Sequence, residues 1–444
     1  MHQSVKSQLT TLFFMEIFEL YSIYNQCNGV STDTRNITDN SLFFALKGAN
    51  FNANDFALKA LENGAAFAVV DDKNLKKLEN NKLIVVEDVL RTLQDLAAFH
   101  RFHIGLPIIA LTGSNGKTTS KELLHAVLST KYNTIATIGN LNNHIGVPLT
   151  LLRMTEETDL AIIEMGANHQ KEIELLCTIA QPDFGFITNF GRAHLEGFGG
   201  IQGVIKGKSE MYDYLQSNNK TIFVNFDDAI QTNKTSNSTR FGFSIENNSL
   251  ANIQITNANA QPMAIVEVNG IQIKSNLTGL YNIPNIAFAV TIGQYFNISL
   301  ENIKEAIENY TPQNNRSQWT KINDKNILLD AYNANPSSMQ VVIENFNQLE
   351  NPSKLMILGD MFELGDEADK EHTLTINQAI ETKIPTIFIG EHFFNVQVKN
   401  DVVQYFKNIQ EFFNQLKETQ INEELLLIKG SRGMALERIL DKLL

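Results

Sequence analysis

The sequence predicts an α/β protein with three domains: a small N-terminal α/β domain, a central domain with a mostly parallel sheet and a phosphate-binding loop, and a C-terminal Rossmann-like α/β domain. Three observations lead to this prediction. The chain has 444 residues, which is too long for one ordinary domain. Short apolar runs alternate with helical patterns over most of its length, as in doubly wound sheets. A loop with two glycines separates one of these runs from a helical pattern.

We place the domains at 15–103, 104–311 and 312–444, after an N-terminal extension at 1–14. The regular pattern begins near Met15, so the sequence leaves open whether the chain starts at Met1 or Met15. The apolar run before Met15 is short and no small-residue cleavage site follows it, so no signal peptide is predicted.

Composition indicates a soluble protein of the cytoplasm. Hydrophobic residues make up 43% of the chain and charged residues 19%, which is enough for full cores. The net charge of −13 argues against general binding to nucleic acid. No apolar run approaches the roughly 20 residues of a membrane span, so membrane insertion is not expected. Cys27 and Cys177 match no metal or redox spacing, which fits a reducing compartment.

The N-terminal domain contains a polar segment with two possible interpretations. Strands are predicted at 41–46, 65–70 and 83–86, and helices at 54–63 and 88–103. Residues 31–35, Ser-Thr-Asp-Thr-Arg, are either a solvated turn or a site where hydroxyls and Arg35 hold a diphosphate or a uracil edge. Residue chemistry alone favours the turn.

The two larger domains show the alternation of strands and helices most clearly. Near-continuous apolar runs predict buried parallel strands at 108–112, 134–138, 160–164, 184–188 and 221–225 in the central domain, and at 327–331, 354–358, 386–389 and 425–428 in the C-terminal domain. Helices are predicted at 201–215, 282–296, 337–348, 370–380, 409–415 and 434–444. Residues 240–278 alternate with period two, which predicts an antiparallel excursion at the sheet edge.

Residues 111–120, LTGSNGKTTS, have the features of a phosphate-binding loop. Gly113 and Gly116 allow backbone N–H groups to face an anion, and the helix that follows adds its positive end. Lys117 would contact the β- and γ-phosphates, and the Thr118 hydroxyl would bind Mg²⁺. Anchored on Gly113, the loop is shorter than the usual pattern. A chance glycine turn is the alternative, but the flanking strand and helix favour nucleotide binding.

Charged residues at other strand ends are candidates for the same site. Glu164 ends an apolar strand, where a carboxylate is placed to bind Mg²⁺ or to pair with a helix N-terminus. His194 lies in a glycine-containing loop after the next strand and is either a second metal ligand or a structural residue. Lys206 and Lys208 follow on a predicted helix and are, on residue chemistry alone, ordinary counter-charges.

The C-terminal domain supplies further strand-end charges: Arg316, Asp330, Lys429 and Arg432. Taken singly, each is more typical of a surface charge than of a ligand. The segment from Lys429 to Gly433 follows a strand and could receive a carboxylate or a phosphate. Together with the phosphate loop, these charges predict a site between domains that a hinge opens and closes.

Several of these segments resemble the Mur ligases, the ATP-dependent amide-forming enzymes of peptidoglycan synthesis. The similarity rests on 112–119, whose short loop spacing is the family's own, and on 164–166, 188–194, 279–285 and the pair Arg316 and Asp330. It extends from about residue 16 to the end. Within the family, segments 139–148, 332–336 and 358–365 resemble the members that add D-alanyl-D-alanine to a UDP-N-acetylmuramoyl tripeptide.

The resemblance implies roles for individual residues. The implied catalytic residues are Lys117, Glu164, His194 and Lys208. The implied ATP contacts are Gly113, Ser114, Asn115, Gly116, Lys117, Thr118, Thr119, Asn282, Asn285, Arg316 and Asp330. The implied ligands of two Mg²⁺ ions are Thr118, Glu164 and His194. The implied contacts with the UDP-linked substrate and the dipeptide are Ser31, Thr32, Arg35, Lys47, Asn142, Asn143, Asn333, Asn335, Ser431 and Arg432. Lys208, or else Lys206, falls where the family often has a carbamylated lysine.

The sequence also departs from the family pattern. Tyr281 stands where His is common, Asn315 where Gly is common, and His144 where an acidic residue is common. These departures affect fine substrate contacts and remove no phosphate or metal ligand. The rival interpretations are another Mur ligase, a folylpolyglutamate-type ligase, and a catalytically silent relative that binds nucleotide or precursor. We expect a cytoplasmic monomer.

Overall fold

A computed structural model of the chain describes residues 17–312, 315–416 and 421–443. The predicted extension at 1–14, and with it the choice between Met1 and Met15, lies outside the described residues. The chain forms two compact units. The first contains the residues up to Ala110, Tyr132–Gly166 and Glu174–Phe184, and the second contains Leu111–Lys131, Ala167–Ile173 and Gly185–Leu444.

The strands, numbered along the chain, are β1 (Val30–Ser31), β2 (Leu42–Phe44), β3 (Lys47–Gly48), β4 (Phe51–Asn52), β5 (Phe67–Val70), β6 (Leu83–Val85), β7 (Ile108–Thr112), β8 (Thr134–Ala136), β9 (Leu160–Glu164), β10 (Phe184–Ile187), β11 (Thr221–Asn225), β12 (Arg240–Ser244), β13 (Ile253–Gln254), β14 (Thr256–Ala260), β15 (Met263–Val268), β16 (Ile271–Thr278), β17 (Gln318–Ile322), β18 (Lys325–Asp330), β19 (Lys354–Gly359), β20 (Thr386–Ile389), β21 (Val403–Phe406) and β22 (Leu425–Lys429).

The helices are α1 (residues 17–24), α2 (Ala57–Glu62), α3 (Val89–Ile104), α4 (Lys117–Leu128), α5 (Gly146–Leu151), α6 (Glu172–Ala180), α7 (Leu195–Phe198), α8 (Ile201–Ser217), α9 (Ala229–Lys234), α10 (Ile283–Tyr295), α11 (Leu300–Asn309), α12 (Pro336–Gln348), α13 (Ala368–Thr382), α14 (Glu391–Asn395), α15 (Ile409–Leu416) and α16 (Leu440–Leu443). Short 3-10 turns occupy Ala53–Phe56, Leu75–Leu78, Leu280–Asn282, Gly365–Glu367, Arg432–Met434 and Leu436–Ile439.

A four-stranded parallel sheet forms the N-terminal part of the first unit. Its strand order is β1-β2-β5-β6. Phe43 and Val70 pack with small alanines of α2 and its approach, including Ala57, in a fully buried cluster. Asp88 begins α3 by accepting a hydrogen bond from the N–H of Arg91, at 2.8 Å. Strands β2, β5 and β6 and helices α2 and α3 lie close to the ranges predicted from apolar runs and helical spacing, whereas α1, β1, β3 and β4 were not predicted.

The central sheet has seven strands in the order β13-β12-β11-β10-β7-β9-β8. The antiparallel excursion predicted at its edge for 240–278 is partly wrong. Strands β12 and β13 continue the sheet in parallel, while β14, β15 and β16 form a separate three-stranded antiparallel sheet. The reason is that β12 ends in three consecutive buried residues, whereas a period-two burial pattern is found in β15 and β16.

The C-terminal sheet has the order β17-β18-β22-β19-β20-β21, and only β17 is antiparallel to its neighbour. Ile327, Ile357 and Ile428 belong to its fully buried core. The helix predicted at 434–444 is wrong over most of its length. The chain makes two 3-10 turns there, interrupted by Ala435 with φ +47°, before the short α16. The predicted α/β class is confirmed.

Asparagine closes many of the turns. Among described residues, Asn40, Asn219, Asn269, Asn315 and Asn323 all have positive φ. Asn tolerates this left-handed conformation better than most side chains. None of the described helices is long and apolar enough to cross a membrane.

Candidate functional site

The loop between β7 and α4 requires glycine at two positions. Gly113 has φ +143°, and a Cβ on it would lie 1.9 Å from the Thr188 hydroxyl oxygen. Gly116 has φ +79° and directly precedes α4. Both are conformations that other residues rarely adopt. The loop therefore leaves its backbone N–H groups at the start of a twelve-residue helix, which is the arrangement that binds phosphate.

The segment after β10 braces this loop. Ser114 donates its hydroxyl to the Gly191 carbonyl at 2.8 Å, and Thr188 donates its hydroxyl to the Asn115 carbonyl at 2.6 Å. Asn189 accepts from the Asn115 N–H at 3.0 Å and donates its amide to the Asn115 carbonyl, also at 3.0 Å. Both backbone groups of Asn115 are thus bonded. Asn189 is not among the site residues predicted from the sequence.

Lys117 folds back across the loop. Its ammonium group donates to the Gly113 carbonyl at 2.7 Å and lies 3.4 Å from the Ser114 carbonyl. Thr118 follows in the first turn of α4 and is buried. The structure therefore brings together the loop residues that the sequence predicted to contact phosphates.

Two asparagines predicted near the adenine are buried beside α4. Asn285 accepts from the Ser120 hydroxyl at 2.9 Å and donates to the Asn282 side-chain oxygen at 2.8 Å. Asn282 donates to the Thr278 carbonyl at 2.8 Å. These bonds connect the start of α10 with the helix that follows the phosphate loop. Their contact with adenine stays a prediction.

The side chain of Asn335, at the start of α12, contacts the phosphate loop. Its side-chain amide donates to the Asn115 side-chain oxygen at 2.8 Å. Its own side-chain oxygen accepts from the N–H of Ser338 at 2.9 Å, and the Ser338 hydroxyl accepts from the Asn335 N–H at 3.0 Å. This reciprocal arrangement is a capping box at the start of α12. The contact of Asn335 with substrate stays a prediction.

His194 has a carboxylate neighbour, Glu363, that is not among the site residues predicted from the sequence. His194 has φ +54° and its ring nitrogen Nδ1 contacts the Glu363 carboxylate. His194 lowers the pKa of the Glu363 carboxyl group by this contact. Two residues earlier, Arg192 pairs with Glu371 of α13, and its N–H donates to the Ser337 hydroxyl at 2.7 Å. These pairings join residues far apart in the chain.

Lys208 is buried on α8, with 1% of its surface exposed. Its ammonium group donates to the Ala167 carbonyl at 3.0 Å and lies 5.0 Å from the centre of the Phe198 ring. Burial, followed by the nearby charge of Lys117, holds the pKa of Lys208 well below its usual value. Lys206, by contrast, is exposed.

The charged residues predicted in the C-terminal domain form two groups of contacts. The Arg316 guanidinium is 3.6 Å from the centre of the Tyr332 ring, and Arg432 lies 5.7 Å from the same ring. Asp330 accepts from the N–H of Ser317 at 2.9 Å and from Lys429 at 2.5 Å. Arg316 is therefore positioned by stacking on an aromatic ring.

Two departures from the family pattern have local explanations. Asn315 has φ +57°, a conformation that both glycine and asparagine adopt, so asparagine is compatible with the backbone at this position. Tyr281 places its hydroxyl 3.0 Å from the Ser317 hydroxyl, in the network of Asp330. At the third departure, the backbone carbonyl of His144 accepts a hydrogen bond from the side-chain amide of Gln94 at 3.0 Å.

Near β22, Ser431 is buried, and its hydroxyl accepts from the N–H of Phe362 at 3.0 Å. Arg432 also pairs with Glu437 at 3.2 Å. The backbone carbonyl of Asn333 accepts a hydrogen bond from the Lys429 ammonium group at 3.1 Å. These three predicted substrate residues follow β18 and β22, which are neighbouring parallel strands.

In the first unit, Glu164 is buried at the end of β9. Its carboxylate accepts from the Asn142 amide at 2.8 Å, and its N–H donates to the Thr137 hydroxyl at 3.0 Å. Asn143 accepts from the N–H groups of Ile145 and Gly146, at 3.1 and 2.9 Å. Asn142 thus orients Glu164, while Asn143 shapes the approach to α5.

The predicted UDP-binding residues lie in the same unit. Arg35 is exposed and pairs with Asp33 at 2.6 Å, and Lys47 pairs with Asp71 at 2.8 Å. The Ser31 hydroxyl lies 3.4 Å from the Asp33 carbonyl, and Thr32 is half-buried. Ser31 is buried in β1 and a turn follows at 34–36, and a role of 31–35 in binding stays a prediction.

Metal ligation of Thr118, Glu164 and His194 also stays a prediction. Within 17–312, 315–416 and 421–443, no group of three or more His, Cys, Asp and Glu residues is arranged to hold a metal ion.

Comparison with known proteins identifies the family. Three family models match the chain: "Mur ligase family, catalytic domain" over residues 26–101, "Mur ligase middle domain" over 111–293, and "Mur ligase, glutamate ligase domain" over 315–432. A relative from Bacillus subtilis, called UDP-N-acetylmuramoyl-tripeptide–D-alanyl-D-alanine ligase, is 33% identical over 429 residues. The match covers 94% of this chain and 93% of the relative.

Solved structures agree with this relationship. The crystal structure of MurF from Acinetobacter baumannii is 30% identical, has a TM-score of 0.84, and matches over 93% of this chain and 92% of that one. MurF ligase from Thermotoga maritima, solved in complex with ADP, is 23% identical with a TM-score of 0.81, over 94% of this chain and 96% of that one. The second likeness is one of fold alone. The chain belongs to the Mur ligase family and is therefore an ATP-dependent ligase.

Proposed function

We propose that this chain joins D-alanyl-D-alanine to UDP-N-acetylmuramoyl-tripeptide, with conversion of ATP to ADP and phosphate, in the synthesis of the peptidoglycan precursor. The observation that carries the proposal is the phosphate loop, in which the side chains of Thr188 and Asn189 hold the backbone of Asn115. Within the same loop, the Lys117 ammonium group donates to the Gly113 carbonyl. The similarity to relatives that carry this name over nearly the whole chain indicates the substrates.

The reaction has two steps. The terminal carboxylate of the tripeptide attacks the γ-phosphorus of ATP, which forms an acyl phosphate and releases ADP. The free amine of D-alanyl-D-alanine then attacks the acyl carbon and phosphate leaves. The protein must bring one anion against another, so its main contribution is positive charge and orientation. Lys117 and the loop N–H groups hold the phosphates, and Arg316, stacked on Tyr332, neutralises them further.

Mg²⁺ would offset the remaining repulsion between the carboxylate and the phosphates. The donor chemistry fits this ion, because Thr118 and the buried Glu164 offer the oxygen atoms that it prefers, and His194 adds an imidazole. Two ions, with these three residues as ligands, are part of the proposal.

Lys208 is proposed to carry a carbamate. Burial lowers the pKa of its amine, so a larger fraction is in the neutral form that reacts with carbon dioxide. The product is an anion, which reverses the electrostatic role of the side chain. Lys206 is exposed and has no comparable environment.

The remaining expectations complete the proposal. The domain boundaries are at 15–103, 104–311 and 312–444, and the protein is a cytoplasmic monomer that binds neither nucleic acid nor membrane. The substrate contacts are those predicted from the resemblance, including Ser31, Asn143 and Ser431. Light scattering after size exclusion tests the monomer.

Phosphate release tests the function. The assay contains ATP, Mg²⁺ and UDP-N-acetylmuramoyl-tripeptide, with and without D-alanyl-D-alanine, and we expect release that depends on the dipeptide. Lys117→Ala should abolish it, whereas Lys234→Ala, on the surface helix α9, should not. Release with dihydrofolate and glutamate, and none with the muramoyl substrate, would instead support the folylpolyglutamate-type alternative. Nucleotide binding without turnover of either set would support the silent relative.

A further inference from the structure

We propose that Asn335 is a positioning residue for the phosphate loop, which it fixes through the side chain of Asn115 before nucleotide binds. This inference rests on the proposed function, because the loop is taken to bind the phosphates of ATP. It assigns Asn335 a role distinct from the substrate contact expected from the sequence.

The donor group of Asn335 has a fixed direction. Its side chain is largely buried, and its oxygen must accept from the N–H of Ser338 to cap α12. This bond determines which end of the amide is the oxygen and which the nitrogen. The amide nitrogen therefore faces Asn115, to whose side-chain oxygen it donates at 2.8 Å. The Ser338 hydroxyl, which accepts from the Asn335 N–H, holds the backbone of the same residue.

The contact falls at the most adaptable part of the loop. Asn115 lies next to Gly116 and two residues after Gly113, and both glycines have positive φ. Glycines allow many backbone conformations, so this short stretch would be the first part of the loop to rearrange. The backbone of Asn115 is bonded to Thr188 and Asn189, and Asn335 restrains its side chain.

A second contact at the start of α12 supports the same role. The Ser337 hydroxyl accepts from the N–H of Arg192 at 2.7 Å. A Cβ on Gly191 would lie 3.0 Å from this hydroxyl oxygen and 3.1 Å from the side-chain amide nitrogen of Asn115. The three residues therefore meet in one small region. The cap residue Asn335 thus contacts the phosphate loop, and Ser337 in the first turn of α12 contacts the segment that braces it. Restraint before binding lowers the ordering cost of binding, which strengthens nucleotide affinity.

The discriminating variant is Asn335→Ser. Serine still caps a helix, but its side chain is too short to reach Asn115. The matched control is Ser338→Ala, which removes the other half of the capping box and leaves the donor to Asn115 in place. If Asn335 only stabilised the start of α12, both variants would change the hydrogen–deuterium exchange of the phosphate loop equally.

The first measurement is hydrogen–deuterium exchange of residues 112–120 in the full chain without nucleotide. We expect faster exchange in Asn335→Ser, little change in Ser338→Ala, and no additional effect of Asn335→Ser in an Asn115→Ala background. Unchanged exchange in Asn335→Ser, or equal increases in the two single variants, would overturn the inference.

The second measurement separates nucleotide from dipeptide. In the phosphate-release assay, Asn335→Ser should raise the KM for ATP about 5-fold, the effect of one lost neutral hydrogen bond, with the KM for D-alanyl-D-alanine unchanged. A rise confined to the KM for the dipeptide would favour the substrate-contact role and reject ours. Failure of the wild-type chain to release phosphate would refute the proposed function, and the exchange experiment would still decide the role of Asn335 in the loop.

Discussion

Arg192 donates from one guanidinium nitrogen to both carboxylate oxygens of Glu371, at 2.9 Å each. The Glu371 side chain is 4% exposed, whereas that of Arg192 is 35% exposed. Arg192 lies in the segment that braces the phosphate loop, and Glu371 lies in α13. A buried carboxylate in the C-terminal part of the chain therefore depends on a cation that follows β10.

Removal of this cation should destabilise the protein. Arg192→Ala leaves the Glu371 carboxylate buried without its guanidinium partner, and we expect a loss of about 2 kcal/mol in the free energy of unfolding. Urea denaturation monitored by circular dichroism measures it. The double variant Arg192→Ala/Glu371→Gln should recover part of the loss, because no unpaired charge remains. Equal stability of Arg192→Ala and wild type would contradict this account of the pair.

Gly113→Ala should disable the phosphate loop. The added Cβ would meet the Thr188 hydroxyl oxygen at 1.9 Å, so the loop must move away from the segment that braces it. We expect the KM for ATP to rise by more than about 10-fold, since one misplaced ångström in a site commonly costs that much. Gly270→Ala is the control, because Gly270 has φ +79° but no atom within 4 Å of its added Cβ. A similar change in both variants would mean that backbone strain alone explains the effect.

The carbamate on Lys208 should be visible by NMR. In protein equilibrated with ¹³C-labelled carbon dioxide, the Lys208 nitrogen forms a bond to the labelled carbon and a proton is released. We expect one carbamate resonance, absent in Lys208→Ala and retained in Lys206→Ala. Lys208→Ala should also lose activity that a short-chain carboxylate partly restores. A resonance lost in Lys206→Ala instead would assign the modification to the exposed lysine.

His372 should make stability depend on pH. It is fully buried, its Nδ1 lies 2.7 Å from the Ala368 carbonyl oxygen, and its Nε2 accepts from the N–H of Met361 at 3.1 Å. Burial lowers the pKa of His372, although Asp360 opposes the shift. A second ring proton would face the Met361 N–H, so the neutral ring fits the folded state.

The sign of the effect follows from this lowered pKa. The stabilisation is present above the unfolded pKa of about 6.5 and is lost as pH falls through the lower pKa of the folded state. From pH 7.5 to pH 5.5, the free energy of unfolding should therefore decrease more for wild type than for His372→Gln, because glutamine does not titrate. His100, whose pKa is also lowered by burial, contributes equally to both proteins and cancels. An identical pH dependence would exclude this role for His372.

The extent to which the sequence predicted the fold varies with the type of element. Strands β7, β9, β11 and β20 have the predicted bounds because each is a continuous apolar run. Strand β17 was missed because its sequence, QWTKI, is largely polar and lies at a sheet edge. The helical spacing of apolar residues in 434–444 was misleading, since Leu436 and Ile439 reach the core from a 3-10 turn.

The site shows the same distinction between local and distant information. The phosphate loop and its glycines were predicted because the requirement is local. The pairs Asn115–Asn335 and His194–Glu363 join residues 220 and 169 positions apart. No periodicity or spacing encodes such pairs, which depend on how the sheets and helices pack.

The asparagine-closed turns have a consequence for the unfolded chain. Where Asn40, Asn219, Asn269, Asn315 and Asn323 adopt positive φ, glycine would fit the folded backbone with less strain. Glycine would also give the denatured chain more conformations, so folding would lose more entropy. Asparagine exchanges a small steric penalty in the native state for a narrower denatured ensemble. These asparagines therefore contribute to stability partly by restricting the conformations of the unfolded chain.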